Sequence, residues 1–421
     1  MKRLRGMYDV TPDRVWVWQK LEAIVTGLLR QYGYQEIRFP LLEKTALFHS
    51  AIGEVTDVVE KEMFTFTDRK DVSISLRPEG TASTVRAVLE NGLIFNEPQK
   101  LWYSGPMFRY EKPQKGRNRQ FSQIGVEVFG YPGPEADAEL LLMTRRMWQR
   151  LGIDNVRLEL NSLGSAECRA SYRQVLIEYF EQHLEVLDEE AKNRLHSNPL
   201  RLLDSKNPQM QAVIQQAPSM ADYLSDESKA YFDQLCAILD ACEMPYEINP
   251  RLVRGLDYYS HNVFEWITDD LGAQGTLCAG GRYDALVEMQ GGKPTPATGF
   301  AMGLDRLVEL IVDKNLWQPR EQTDIYVVWD KNVPVAKVMA ITEQLRHDLP
   351  DDSVMMHLSA ASFKSQFKKA DKTGAQFTLI LGPDEMQQQV ISVKAMQDPT
   401  IPQQQLCYAD VVSFLKQQLG N

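Results

Sequence analysis

Residues 101–130, LWYSGPMFRYEKPQKGRNRQFSQIGVEVFG, hold the densest set of side chains suited to chemistry on a polyanion. Arg109 and Glu111 stand two apart on an expected strand, so both leave the same face. Gln123 and Glu127 stand four apart on a second expected strand, again on one face. Gly125 between them is expected to let a ligand lie close to the backbone. Residues 112–120 form a loop with Lys112, Lys115, Arg117 and Arg119 and no acid. Taken alone, such a loop is ordinary solvated hairpin surface. Joined to same-face charged pairs, it suits a phosphate-rich ligand.

Four other segments carry further candidates. In GFAMGLDRLVEL, residues 299–310, a strand of small residues runs into a helix with Arg306 in its first turn. The helix dipole disfavours a cation there, so an anion should compensate it; a surface pair with Asp305 or Glu309 is the plainer expectation. RPEGTA, residues 77–82, puts Glu79 and Thr81 at the mouth of a helix. RGLDYYSHNVFEW, residues 254–266, gathers Arg254, Asp257, Tyr258 and Tyr259 before a strand. TLCAGGRYDALV, residues 276–287, sets Gly280 and Gly281 beside Arg282 and Tyr283. A Tyr-Tyr pair or a Gly-Gly turn alone reads as packing or chain reversal. Neither G-x-G-x-x-G nor G-x-x-x-x-G-K-[ST] occurs, so nucleotide use does not follow from a generic phosphate loop.

The elements that must position these residues are partly legible. Thr11 is expected to cap a first helix, with Pro12 at its first position and Gly33 closing it. Trp18, Leu21, Val25, Leu28, Leu29 and Tyr32 recur along it at helical spacing. A strand is expected over residues 36–39. Residues from about 166 to 240 look helical and acidic, and strands with glycines return from about 246 to 310. Past residue 323, strands at 324–329, 354–358 and 377–381 alternate with helices at 334–349 and 363–372. This pattern implies a small α/β domain with some parallel pairing.

The chain of 421 residues and 48.1 kDa has room for two to four domains at roughly 100–200 residues each. Its 43% hydrophobic and 24% charged residues are ordinary globular values, which exclude a disordered or collagen-like chain. The net charge of −11 argues mildly against a nucleic-acid partner. The positions of the cations answer that, because they are bunched in the 112–119 loop and in Lys364, Lys368, Lys369 and Lys372. Five scattered cysteines with no C-x-x-C pair, and six histidines with no metal-binding spacing, imply reduced thiols and no structural zinc. No apolar run approaches the roughly 20 residues that span a membrane, and the basic N-terminus has no apolar stretch behind it. A soluble, cytoplasmic protein is expected.

The segment around Arg109 and Glu111 resembles motif 2 of the class II aminoacyl-tRNA synthetases, and the Arg306 segment resembles motif 3. Residues 77–82, 254–266 and 276–287, with RGMYDVTP near the N-terminus and AIGEVTDVVEKEMFTF, resemble the histidyl-tRNA synthetase family over essentially the whole chain. The resemblance implies an α+β fold: a class II antiparallel sheet flanked by helices, with a helical insertion and a C-terminal α/β anticodon-binding domain. The catalytic core would be residues 1–165 and 241–320, the insertion 166–240 and the anticodon-binding domain 323–421. A homodimer is implied, with its contact in the residues up to Pro40.

The implied activity is ATP-dependent activation of L-histidine and its transfer to tRNA(His). Arg109 would hold the α-phosphate, Glu111 the adenine amino group and Arg306 the γ-phosphate, with Mg²⁺ on the outer phosphates. Glu79 and Thr81 would take the ammonium of histidine, and Gln123 its carboxylate. Glu127 and Tyr259 would take the imidazole, with Tyr258 lining the pocket. Arg254 would act with Arg109 on the reacting phosphate, and Lys115, Arg117 and Arg119 would meet tRNA. The alternative is a non-catalytic, histidine-sensing regulatory subunit of ATP phosphoribosyltransferase.

Overall fold

The computed structural model describes all residues except 54, 55, 57, 115, 257, 319–322 and 421, together with the side chains of 273 and 274. The first helix is Pro12–Gln31, and Trp18, Leu21, Val25, Leu28 and Leu29 form its buried face. Thr11 occupies the capping position, but its side chain makes no cap bond. Pro12 starts the helix without help, because its fixed φ is already helical and its missing N–H would have lacked a partner.

The chain divides into two compact units, Met1–Trp317 and Gln318–Asn421. The first is built on an eight-stranded sheet. Its spatial order is Gln35–Glu36, Gln99–Phe108, Gln120–Phe129, Ala297–Gly303, Thr276–Arg282, Ser260–Ile267, Arg157–Ser162 and Glu247–Ile248. The six interior strands pair antiparallel, and only the two-residue edge strands pair parallel. The expected strand at 36–39 shrinks to Gln35–Glu36, followed by one further bond from Ile37 N–H to the Trp102 carbonyl at 2.8 Å. Pro40 cannot donate to a ladder, so pairing stops there.

The two faces of this sheet have separate cores, because neighbouring residues on a strand point opposite ways. Trp102, Phe264 and Met302 pack against helices Pro12–Gln31, Pro134–Leu151 and Leu304–Asp313. Leu101, Phe129 and Val263 face the other way, toward Tyr258, Tyr259, Tyr283 and the helices of residues 166–223. That stretch comprises Ala166–Glu181, Glu189–Arg194, Gln211–Gln216 and two short 3₁₀ turns, and Asp226–Ala241 then packs against Pro134–Leu151.

A polar pair ties the core together from inside. Arg282, 1% exposed, donates to the carboxylate of Asp137, 2% exposed, at 3.0 Å. Asp137 also accepts from Thr298 and Tyr231, both at 2.7 Å. Four elements meet there, and every oxygen of the buried carboxylate is used.

The second unit is a five-stranded sheet in the order Val354–Met356, Ile325–Trp329, Phe377–Leu381, Ile391–Ala395, Gln404–Leu406. The first two pairings are parallel and the last two antiparallel. Helices Val335–Asp348, Phe363–Lys372, Pro383–Gln388 and Tyr408–Leu419 flank it. No helix among the described residues is long and apolar enough to cross a membrane.

Candidate active site

A cavity of about 200 Å³ opens on the sheet of the first unit. Glu79, Thr81, Arg109, Glu111, Arg117, Gln123, Arg254, Tyr258, Tyr259 and Arg306 all line it, although they come from four separate segments of the chain. Glu127 does not line it; 1% exposed, it lies behind Thr81, which donates to it. Lys115 and Asp257 fall outside the described residues.

Arg109 and Glu111 are not on a strand. The strand ends at Phe108, and the backbone N–H of Tyr110 turns away to the carbonyl of Glu62 at 2.6 Å. The two side chains still meet: Arg109 donates to the Pro78 carbonyl at 2.9 Å, and its Nη1 lies 4.0 Å from Glu111. Arg117, on the basic loop, turns back into the cavity and pairs with Glu111 at 3.1 Å. Arg119 lies flat against Tyr110, with its guanidinium 3.5 Å from the ring centre.

Glu79 caps the helix Thr81–Glu90, accepting the N–H groups of Thr81 and Ala82 at 2.7 and 2.9 Å. Burial raises its carboxyl above the usual range, and those two bonds work against the rise. Glu127 is buried deeper. Thr81 Oγ1 donates to it at 2.7 Å and the Tyr283 hydroxyl donates to its other oxygen. Burial pushes its carboxyl up to about 8, against the pull of those two donors and with a further push from the charge on Glu79.

The glycine beside Glu127 in sequence does not serve a ligand. A Cβ on Gly125 would sit 2.0 Å from the Tyr103 ring, so that aromatic fills the space. The residue that makes room for the site is Gly299 on the neighbouring strand. It pairs with Glu127, and a Cβ there would meet the Glu127 carboxylate at 2.1 Å. Tyr258 and Tyr259 stack with ring centres 4.7 Å apart, and Tyr258 also meets Tyr283 edge-on at 5.6 Å.

Arg254 lines the same cavity beside Tyr259. It pairs with Glu265, which also accepts from Thr276 at 3.0 Å, and its guanidinium lies 5.7 Å from the Tyr259 ring centre. Burial acts to lower its affinity for a proton, but Glu265 together with Tyr259 and Tyr258 outweighs this, and Arg254 is held firmly cationic. Its Nε is buried without a partner among the described residues. Arg306 does not pair with Asp305, which instead accepts from Tyr8 and from the Ser122 N–H at 2.7 Å. Arg306 donates to the carbonyls of Thr276 at 2.7 Å and Gly116 at 3.3 Å. Burial and the charges of Arg117 and Arg109 lower its affinity for a proton, so an added anion would be welcome.

Two contributors escape sequence reasoning, and one residue misleads it. Glu265 carries no signal beyond its place on a strand. Tyr283 reads as part of a turn. Arg282, beside it, looks like a site residue and is core.

An antiparallel sheet with arginines from a hairpin and from a strand–helix junction over one cavity is the arrangement of a class II aminoacyl-tRNA synthetase, and the second unit completes that architecture. The sequence model of the histidyl-tRNA synthetase family matches residues 6–307, and that of the anticodon-binding domain family matches residues 325–418. The apo histidyl-tRNA synthetase of S. aureus is 34% identical, with a TM-score of 0.83 over 99% of this chain and all of that one. A Bacillus halodurans structure described as an ATP phosphoribosyltransferase regulatory subunit/histidyl-tRNA synthetase is 22% identical with a TM-score of 0.65, covering 90% of this chain and 97% of that one. The histidyl-tRNA synthetase of Nostoc is 18% identical with a TM-score of 0.70 over 99% of each chain. The chain belongs to the histidyl-tRNA synthetase family.

Proposed function

We propose that this protein is a histidine–tRNA ligase, which activates L-histidine with ATP and transfers it to tRNA(His). The observation that carries this reading is the buried Glu127 carboxylate directly behind Thr81, which lines a cavity together with Tyr258, Tyr259 and four arginines. A carboxylate buried to that depth suits a ligand that brings its own N–H donor, such as an imidazole. A pocket of this kind rejects apolar side chains, because its polar groups would be left unpaired.

In this reading Glu127 and Tyr259 take the imidazole, Tyr258 lines the pocket, Glu79 and Thr81 take the ammonium, and Gln123 helps orient the carboxylate. Arg109 and Arg254 flank the α-phosphate. A carboxylate oxygen of histidine attacks the α-phosphorus, the bond to the β-phosphate bridging oxygen breaks, and pyrophosphate leaves. Negative charge concentrates at phosphorus in that step, and two fixed guanidinium groups stabilise it without reorganising. Glu111 is assigned to the adenine amino group and Arg306 to the γ-phosphate. A terminal ribose hydroxyl of tRNA then attacks the histidyl carbonyl, AMP leaves with the bonding electrons, and the hydroxyl proton is lost. Arg117, Arg119 and Lys115 are assigned to the tRNA end, and the 325–418 domain to the anticodon.

Among the described residues no group of three His, Cys, Asp or Glu side chains is placed to hold a metal ion. The described residues therefore do not form a protein cage for Mg²⁺, which would arrive on the ATP phosphates. The molecule is expected to act in the cytoplasm as a homodimer joined through residues up to Pro40. Charging of tRNA with labelled histidine tests the reading: accumulation of acid-stable histidyl-tRNA supports it. A protein that binds histidine but never charges tRNA would instead fit the regulatory-subunit alternative.

A further inference from the structure

The first nine residues contribute nothing to the roles assigned above, yet they are tied to both motifs. The carbonyl of Gly6 accepts the backbone N–H of Arg119 at 2.7 Å. The Tyr8 hydroxyl donates to Asp305, on the motif 3 helix, and Asp305 also accepts the Ser122 N–H on the motif 2 hairpin. Gly6 has φ +82°, and a Cβ there would sit 2.7 Å from the Arg119 side chain. The chain can cross the loop this closely only with glycine at the crossing.

Beyond that crossing Lys2, Arg3 and Arg5 are exposed. Among the described residues their one acidic partner is Asp9, 3.8 Å from Arg3 at the surface. A cleft of about 590 Å³ separates this segment from Pro113 and Asn118 of the basic loop. The positive charge on this cleft is that of Lys2, Arg3 and Arg5, and these cations repel one another unless an anion lies between them. The cleft is open and its side chains are long, which suits charges spaced along a strand better than one small anion.

We propose that Lys2, Arg3 and Arg5 form the second wall of a phosphate-binding cleft whose first wall is Pro113 and Asn118 of the basic loop, and that it grips the sugar–phosphate backbone of the tRNA acceptor arm. This rests on the tRNA reading of the loop given above. Because the grip is on backbone phosphate, it supplies affinity and orientation and reads no base.

The test compares the unmodified protein with Lys2→Gln/Arg3→Gln/Arg5→Gln and with the charge-keeping Lys2→Arg/Arg3→Lys/Arg5→Lys. Two quantities are measured: binding of tRNA(His) transcript across a salt series, and histidine-dependent exchange of pyrophosphate into ATP. Each phosphate that is no longer neutralised should reduce the log–log salt slope by about 0.7–0.9. The neutral variant should therefore bind more than tenfold more weakly at low salt, with a slope shallower by about two, and exchange at the unmodified rate. The charge-keeping variant should restore both affinity and slope. Unchanged affinity, or weaker binding with an unchanged slope, overturns the proposal. An unmodified protein that binds tRNA with a steep slope but exchanges no pyrophosphate overturns the activity reading and leaves this one standing if the slope still falls. Absence of tRNA binding by the unmodified protein overturns both.

Discussion

The Tyr283 hydroxyl donates to the carboxylate of Glu127, a partner 156 residues away in the chain. Strand Ala297–Gly303 lies between the strand of Glu127 and strand Thr276–Arg282, which ends one residue before Tyr283, and Gly299 on it leaves the carboxylate the space it needs. Tyr283→Phe keeps the ring contacts and removes one donor that works against burial. The Glu127 carboxyl, already at about 8, should then rise further. If the carboxylate is the form that accepts the imidazole, the affinity for histidine improves as pH rises toward 8, and in Tyr283→Phe that limb moves to higher pH. The KM for histidine at pH 7 should rise by about tenfold, the scale of one hydrogen bond to a charged group, with the KM for ATP unchanged. An unshifted pH profile would detach Tyr283 from the site.

The same group makes stability depend on pH. The folded protein holds the Glu127 proton up to about 8, whereas an unfolded chain releases it near 4.5. Between those values the native state binds more protons, so stability falls as pH rises, by at most about 1.4 kcal/mol per pH unit. Glu127→Gln removes that loss. Its denaturation midpoint should exceed that of the unmodified protein by a margin that grows from pH 5 to pH 8, while its KM for histidine rises about 100-fold. A margin that does not vary with pH would contradict the burial argument.

Arg254 is held by Glu265 and should act where charge develops. Arg254→Ala should lower pyrophosphate exchange by about 10²–10³-fold, the scale of a lost oxyanion donor, with an unaltered circular dichroism spectrum. Glu265→Gln, which leaves the guanidinium but loosens its aim, should lower kcat less and leave the KM for histidine nearly constant. Near-normal exchange in Arg254→Ala would remove it from the chemistry.

Asp137 and Arg282 bear on the fold alone. Asp137→Ala removes the fully buried partner of Arg282, leaving it Asp284 and the carbonyls of Tyr131 and Gly133, and should cost about 3 kcal/mol, read as a lower denaturation midpoint. A change below about 1 kcal/mol would mean that water or backbone takes over the arginine.

Residues 318–421 form their own compact unit with a separate core. Residues 1–317 expressed alone, and shown folded by circular dichroism, should keep histidine-dependent exchange and lose most tRNA charging. Equal loss of both would argue that the second unit serves the first structurally.

Much of the fold is legible in the sequence because its signals are local. The helices Pro12–Gln31 and Phe363–Lys372 and the strand Phe377–Leu381 follow from periodicity, Pro and Gly placement. The candidate site is legible as residue types within short segments, and the cavity gathers those segments. What stays hidden depends on which strands become neighbours. The sequence around Tyr283 and Gly125 looks like a turn and a ligand gap; only the strand order reveals that Tyr283 holds Glu127 and that Tyr103 fills the gap at Gly125. Arg282 looks like a site residue because charge suggests surface, and it is core because Asp137 is brought to it by a helix about 145 residues earlier. The whole-chain charge misleads for a related reason, since nucleic acid responds to local cation density and not to a sum.

Whether this cavity activates histidine is decided by amino-acid-dependent exchange of labelled pyrophosphate into ATP, run with each amino acid in turn on the folded protein. Rapid exchange with histidine alone is the expected result. No exchange with histidine, or equal exchange with another amino acid, would contradict the assignment.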